Sequence, residues 1–151
     1  MDEKNELQAF LKKKAASETP TQNEVDWKAI KDKWLSQIAQ LYKMIREWIA
    51  PLEKDKTVRF QMSHISLEED YIGPYQVDVL ALSIGKQCVE FHPKGTLIVG
   101  ADGRVDVRGL RGVRTLVLKG DQWLILERSP HLKTLPFNED SFQDVLQEVM
   151  E

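Results

Sequence analysis

Two periodicities divide the chain. Over residues 24–50 apolar side chains return at helical spacing: Trp27, Trp34, Leu41 and Trp48 stand seven apart, with Ile30, Ile38 and Ile45 in the turns between. Lys28, Lys31, Lys33, Gln37, Gln40, Lys43 and Glu47 fill the opposite side, so the segment reads as one long amphipathic helix. Thr21 and Glu24 have capping-box spacing, and Asn23 is a second N-cap candidate. Pro51 is expected to end the helix, because it lacks an N–H and pushes residue 50 out of helical geometry. The stripe must be buried, and the β-rich remainder is its expected partner.

Beyond Pro51 the period falls to two. Val58, Phe60 and Met62 alternate with Arg59, Gln61 and Ser63, which predicts a strand. Residues 67–75, with an acidic cluster and a Gly-Pro step, read as a loop. Residues 76–84 and 87–92 form a predicted hairpin about Gly85-Lys86, with glycine placed for a type II′ turn. Its register puts Leu80, Leu82, Ile84, Val89 and Phe91 on one face, and Val77, Val79, Ala81, Cys88, Glu90 and His92 on the other. Both faces are largely apolar, so the hairpin is expected to be covered on both sides.

Pro93-Lys94-Gly95 reads as a turn into a strand over 96–100. A three-residue loop, Ala101-Asp102-Gly103, with Gly103 left-handed, gathers Leu97, Val99, Val105 and Val107 on one face. A two-residue Asp-Gly loop would mix them with Arg104, Asp106 and Arg108. Strands over 104–108, 113–118 and 122–127 follow, separated by the turns 109–112 and 120–121. Trp123 and Ile125 lie opposite Leu124 and Leu126. Residues 129–136, bounded by prolines, read as a loop. Asn138 or Asp140 caps a last helix over 139–150, apolar at Phe142, Val145, Leu146, Val149 and Met150. The expected class is α+β: an antiparallel meander of about seven strands, spanning 57–127, packed by the long N-terminal helix (24–50) and the C-terminal helix (139–150).

Residues 2–16 carry a small stripe of Leu7, Phe10 and Leu11, and the SETPTQ run at 17–22 reads as a linker. Residues 1–22 are therefore expected to be an arm of a short helix over 2–16 plus the linker, and 23–151 a single α+β domain. At 151 residues the chain is long enough for one real core. A net charge of −3 argues against nucleic acid as a partner. With Cys88 alone, no intramolecular disulfide or cysteine zinc site can form, which suits a reducing compartment. The acidic N-terminus lacks the apolar run of a signal peptide, and no stretch approaches the roughly 20 apolar residues of a membrane helix. These features give a cytoplasmic expectation.

Candidate chemistry is sparse. Asp78 followed by Glu90-x-His92 on the next strand resembles the Asp…Glu-x-Lys metal site of restriction-endonuclease-like nucleases, with His92 where that family carries lysine. The hairpin register, however, turns Asp78 away from Glu90 and His92, and carboxylates on opposite faces cannot share a metal. His64, His92 and His131 have no zincin spacing. There is no Gly-x-Ser-x-Gly, and Cys88, mid-strand in an apolar run, reads as an inert buried thiol. Arg104, Arg108, Arg111 and Arg114 form the cationic cluster of the β region. Arg104 and Arg108 share a face, and Arg114 takes the other if the loop at Gly109–Gly112 has even length.

The function expected is a non-enzymatic interaction or regulatory module without cofactor. Its partner would be another protein or a second copy, with contact at Leu7, Phe10, Leu11, Arg104, Arg108 and Arg111. The alternatives are a metal-dependent hydrolase or nuclease using Glu90 and His92 with Asp78 or His64, and an oligomeric structural protein.

Overall fold

Helix α1 (Trp27–Lys54) runs along a seven-stranded antiparallel sheet whose strand order is the sequence order. The strands are β1 (Val58–Glu69), β2 (Gly73–Ile84), β3 (Gln87–Gly95), β4 (Gly103–Arg108), β5 (Val113–Lys119), β6 (Gln122–Glu127) and β7 (Lys133–Pro136), and helix α2 (Glu139–Val149) follows. The computed structural model describes residues 8, 9, 11, 25–96, 101–127 and 132–150. The expected α+β meander is the architecture observed.

The long helix is shifted toward the C-terminus from its expected bounds. Asp26, not Thr21 or Asn23, caps it, its carboxylate accepting from the Ala29 N–H at 3.0 Å. Residues 21, 23 and 24 lie outside the described residues. Pro51 does not stop the helix but sits inside its last turn. A proline there forfeits one hydrogen bond. The turn is held regardless by the buried Ile49, by Arg46 pairing with Glu53, and by backbone bonds from Asp55 to Pro51 and from Thr57 to Leu52. Trp34, Ile38, Leu41, Tyr42, Ile45 and Ile49 are buried, whereas Ile30 of the expected stripe is 37% exposed.

A tight connection, with Asp55 accepting from both Thr57 N–H and Thr57 hydroxyl, turns the chain back into β1. The 28 residues of α1 span about 42 Å and the 12 of β1 about 40 Å, so the first hairpin follows the helix along its length. Three contacts mark that course. The Arg46 guanidinium lies 4.5 Å over the Phe60 ring, the Trp34 indole donates to the Tyr75 hydroxyl at 3.1 Å, and Trp27 stacks on Tyr71 at 5.0 Å.

Residues expected as the 67–75 loop are mostly strand: β1 continues to Glu69, and β2 starts at Gly73. The core-facing parity changes along this hairpin. Leu80 and Leu82 meet the core beside Val89 and Phe91, as the register requires, but farther out Val77 and Tyr75 take that place. Val77 had been assigned to the opposite face. The reason is that β2–β3 pairing stops at Leu80–Phe91, while β1–β2 pairing runs on to Glu69–Gly73. A two-stranded ribbon twists more than a sheet does. Tyr42 fills the fork, its hydroxyl 2.8 Å from the Asp78 carbonyl and 3.2 Å from that of Phe91.

The Gly85-Lys86 turn has positive φ at glycine only, as a type II′ turn needs. Pro93–Gly95 is not a turn. It belongs to β3, with a bulge between Pro93 and Gly95 that absorbs the proline's missing donor. Residues 97–100, expected as a strand, lie outside the described residues. Gly103 is not left-handed. It opens β4 opposite Leu118, and a Cβ there would stand 2.1 Å from the Trp34 ring, so its role is to admit the indole. Lys133–Pro136, expected as loop, is the edge strand β7, with Pro136 at its end.

Asn138, not Asp140, caps α2, in a reciprocal box with Ser141. Phe142 and Val145 are buried, and Trp48 meets Phe137 at 5.5 Å and Phe142 at 5.4 Å, so both α1 and α2 close the same sheet face. Trp34 and Trp123, 6.0 Å apart, fill the other end of that core.

Candidate functional site

The nuclease-like residues form two separate pairs. His64 Nδ1 lies 2.7 Å from Asp78 Oδ1 across β1 and β2, and His92 Nε2 lies 3.2 Å from Glu90 Oε2 along β3. Pairing of Leu80 with Phe91 gives Asp78 the parity of Leu80 and puts Glu90 and His92 on the other face beside Ala81. Among the described residues no three His, Cys, Asp or Glu side chains converge as a metal site would require. His131 lies outside the described residues.

Cys88 is exposed, not buried. It sits opposite Ser83 on the face away from α1 and α2, so the expected two-sided cover does not reach this part of the hairpin. Partial burial, with Glu90 nearby, pushes its thiol above the ordinary range. A thiol held protonated is a poor nucleophile.

The arginines divide as their parity requires. Arg104 makes a two-pronged contact with Asp106, Nε–Oδ1 at 2.8 Å and Nη2–Oδ2 at 3.2 Å, and Thr115 adds its hydroxyl at 3.3 Å. Asp106, only 5% exposed, is therefore a satisfied carboxylate. Arg108 pairs in register with Glu90 and is exposed, as is Arg111 in the following turn. Arg114, on the other face, reaches Glu148 of α2 and Glu127. Of the expected apolar contact, Leu11 is helical and 54% exposed, while Leu7 and Phe10 lie outside the described residues.

Among the clefts of the surface, two are lined by described residues. One, of about 530 Å³, lies between α1 and the β6–β7 end, lined by Gln37, Gln40, Met44, Gln122, Trp123 and Phe137 among others. Its one carboxylate, Asp121, is engaged by Gln37 at 3.1 Å and Lys33 at 3.5 Å, so the described lining offers no acid–base pair. The second, of about 300 Å³, lies by the start of α1, between Trp27, Ile30, Lys33, Trp34, Thr96, Ala101, Asp102 and Leu118.

The sheet edges were not singled out from the sequence. β7, at one end, has four residues and a terminal proline, a protected edge. β1, at the other, has twelve residues and no proline, and among the described residues it pairs with β2 alone. Arg59, Gln61, Met62, Ser63, His64, Ser66 and Glu68 are exposed along it. The continuous alternation from Val58 onward was the available signal. Which strands end a sheet is a property of the whole topology.

Comparison of the chain with protein-family models, with curated proteins and with solved structures gives no match. No helix among the described residues is long and apolar enough to cross a membrane.

Proposed function

We propose that this protein is a non-enzymatic interaction module that associates with a second copy of itself through β1. The observation that carries the reading is the contrast between the sheet edges: β1 is three times the length of β7 and has no proline. An exposed strand edge presents unpaired N–H and C=O groups and is a template for another strand. A second copy supplies a strand of identical length. Antiparallel pairing about a two-fold axis near Ser63 or His64 uses nearly the whole edge and closes on itself. Met62, 45% exposed beside that axis, adds apolar contact. In those two clefts the charged groups of the described lining are already engaged, Asp121 by Gln37 and Lys33, and Asp102 by the Gly120 N–H, and the His–carboxylate pairs stand apart.

Sedimentation equilibrium over a wide concentration range tests the proposal. The wild type is expected to dimerise, and Met62→Lys, which places a charge near its symmetry mate, to be monomeric with an unchanged circular dichroism spectrum. A wild type that stays monomeric at the highest concentration, or a Met62→Lys dimer of undiminished affinity, overturns it.

A further inference from the structure

Of the two His–carboxylate pairs among the described residues, only one stands on an edge strand. His92, its side chain 20% exposed, sits on β3 inside the sheet. His64 lies at the middle of β1, its side chain 66% exposed and its Nδ1 2.7 Å from Asp78 Oδ1. A carboxylate only accepts, so Nδ1 carries the hydrogen and the neutral ring keeps its lone pair on Nε2. The two nitrogens of an imidazole point nearly opposite ways, so Nε2 is directed away from β2 and toward the open side of β1. The backbone is oriented alike. The Asp78 carbonyl accepts the Tyr42 hydroxyl, which also reaches the Phe91 carbonyl of β3, so it points toward β3 and away from β1. Opposite residues of an antiparallel pair exchange both backbone bonds or neither, so His64 and Asp78 exchange none. The His64 N–H and C=O are thereby left facing the edge.

We infer that a divalent ion preferring imidazole nitrogen, zinc foremost, bridges two copies of this chain, bound by His64 Nε2 of each. The site presupposes the β1 dimer proposed above and is incomplete without the second copy, for among the described residues of one chain no three ligand side chains converge. A two-fold axis normal to the sheet keeps both histidines on one face. With the axis at His64 they stand directly opposite, Cβ atoms about 5 Å apart. With the axis at Ser63 they are diagonal, about 7–8 Å apart. An ion held at about 2.0–2.1 Å by each nitrogen keeps the two Nε2 atoms within about 4 Å, which imidazoles at either spacing reach. Asp78 stands behind each ligand. A metal-binding imidazole ordinarily donates its other N–H to a carboxylate, which fixes the tautomer and orientation and raises the basicity of the ligating nitrogen. Imidazole suits zinc, copper or nickel, whereas magnesium and calcium take oxygen.

Sedimentation equilibrium of the full chain, in chelator and in excess zinc, tests the site apart from the dimer. The wild type is expected to dimerise in chelator and to associate about tenfold or more tightly in zinc, with no gain from magnesium. Equilibrium dialysis should find one zinc per pair of chains. His64→Gln, at an exposed position, should keep the dimer seen in chelator and lose the zinc gain. Asp78→Asn should need about tenfold or more zinc for the same gain. A dimer indifferent to zinc, or a zinc gain that survives His64→Gln, overturns the metal site and leaves the dimer standing. No dimer in either buffer overturns both.

Discussion

At the scale of the residue, Tyr42 shows how one hydroxyl supports a change in the sheet. It is buried where β2 parts from β3, and burial holds its phenol well above the ordinary range of about 10. Tyr42→Phe leaves the Asp78 and Phe91 carbonyls without their hydroxyl and should cost about 1–3 kcal/mol in urea denaturation. The pH dependence has a definite sign. The folded state keeps the Tyr42 proton when the unfolded chain has lost it, so this contribution is whole below pH ~10 and declines as pH rises above it. Tyr42→Phe should therefore lose stability less steeply on the alkaline side, by up to about 1.4 kcal/mol per pH unit. An alkaline limb parallel to the wild type would assign the effect elsewhere. Gly103 is a second such position. A Cβ there meets the Trp34 ring, so Gly103→Ala should lower stability by about 1–3 kcal/mol, read as a fall in melting temperature.

At the scale of the element, α1 and α2 are stabilised in different ways. Trp34 on α1 is almost wholly buried and hydrogen-bonded to Tyr75, so Trp34→Ala should cost about 3–5 kcal/mol. An unchanged urea midpoint would mean that α1 does not depend on the sheet. For α2, short and without basic residues in its last turn, the cap carries more weight. Asn138→Ala removes half of the reciprocal box with Ser141 and should cost about 1 kcal/mol in the same measurement.

At the scale of the whole molecule, every strand pairs with its neighbour in sequence, and the helices share one sheet face. Such connectivity keeps loop closures short and favours one cooperative unit. Trp27, Trp34 and Trp48 on α1 and Trp123 on β6 report the helix–sheet contact, while far-UV circular dichroism reports the helix and strands themselves. The two signals should therefore unfold together in urea. A tryptophan transition that precedes the loss of ellipticity would show α1 leaving the sheet before it melts.

The sequence by itself determined those features whose cause is local. Helical spacing from Trp27 to Trp48 marked α1, alternation marked most strands, glycine before Lys86 set the type II′ turn, and Asn138 capped α2. Strand parity also placed Arg104 and Arg108 on one face, and the register across the 109–112 turn put Arg114 on the other. Tertiary structure decided what depends on partners distant in sequence. Pro51 stays helical partly because Ile49 beside it is buried in the core, and Lys133–Pro136 becomes a strand because β6 offers an edge. The ribbon of β1 and β2 exchanges its inward face because β3 ends its pairing early. The place of β1 at the end of the sheet and the indole of Trp27, without an acceptor among the described residues, belong to the same class. Periodicity states which side of an element is apolar. Whether a backbone edge or a buried donor finds a partner is settled only when the elements pack, because that partner lies elsewhere in the chain or on another molecule.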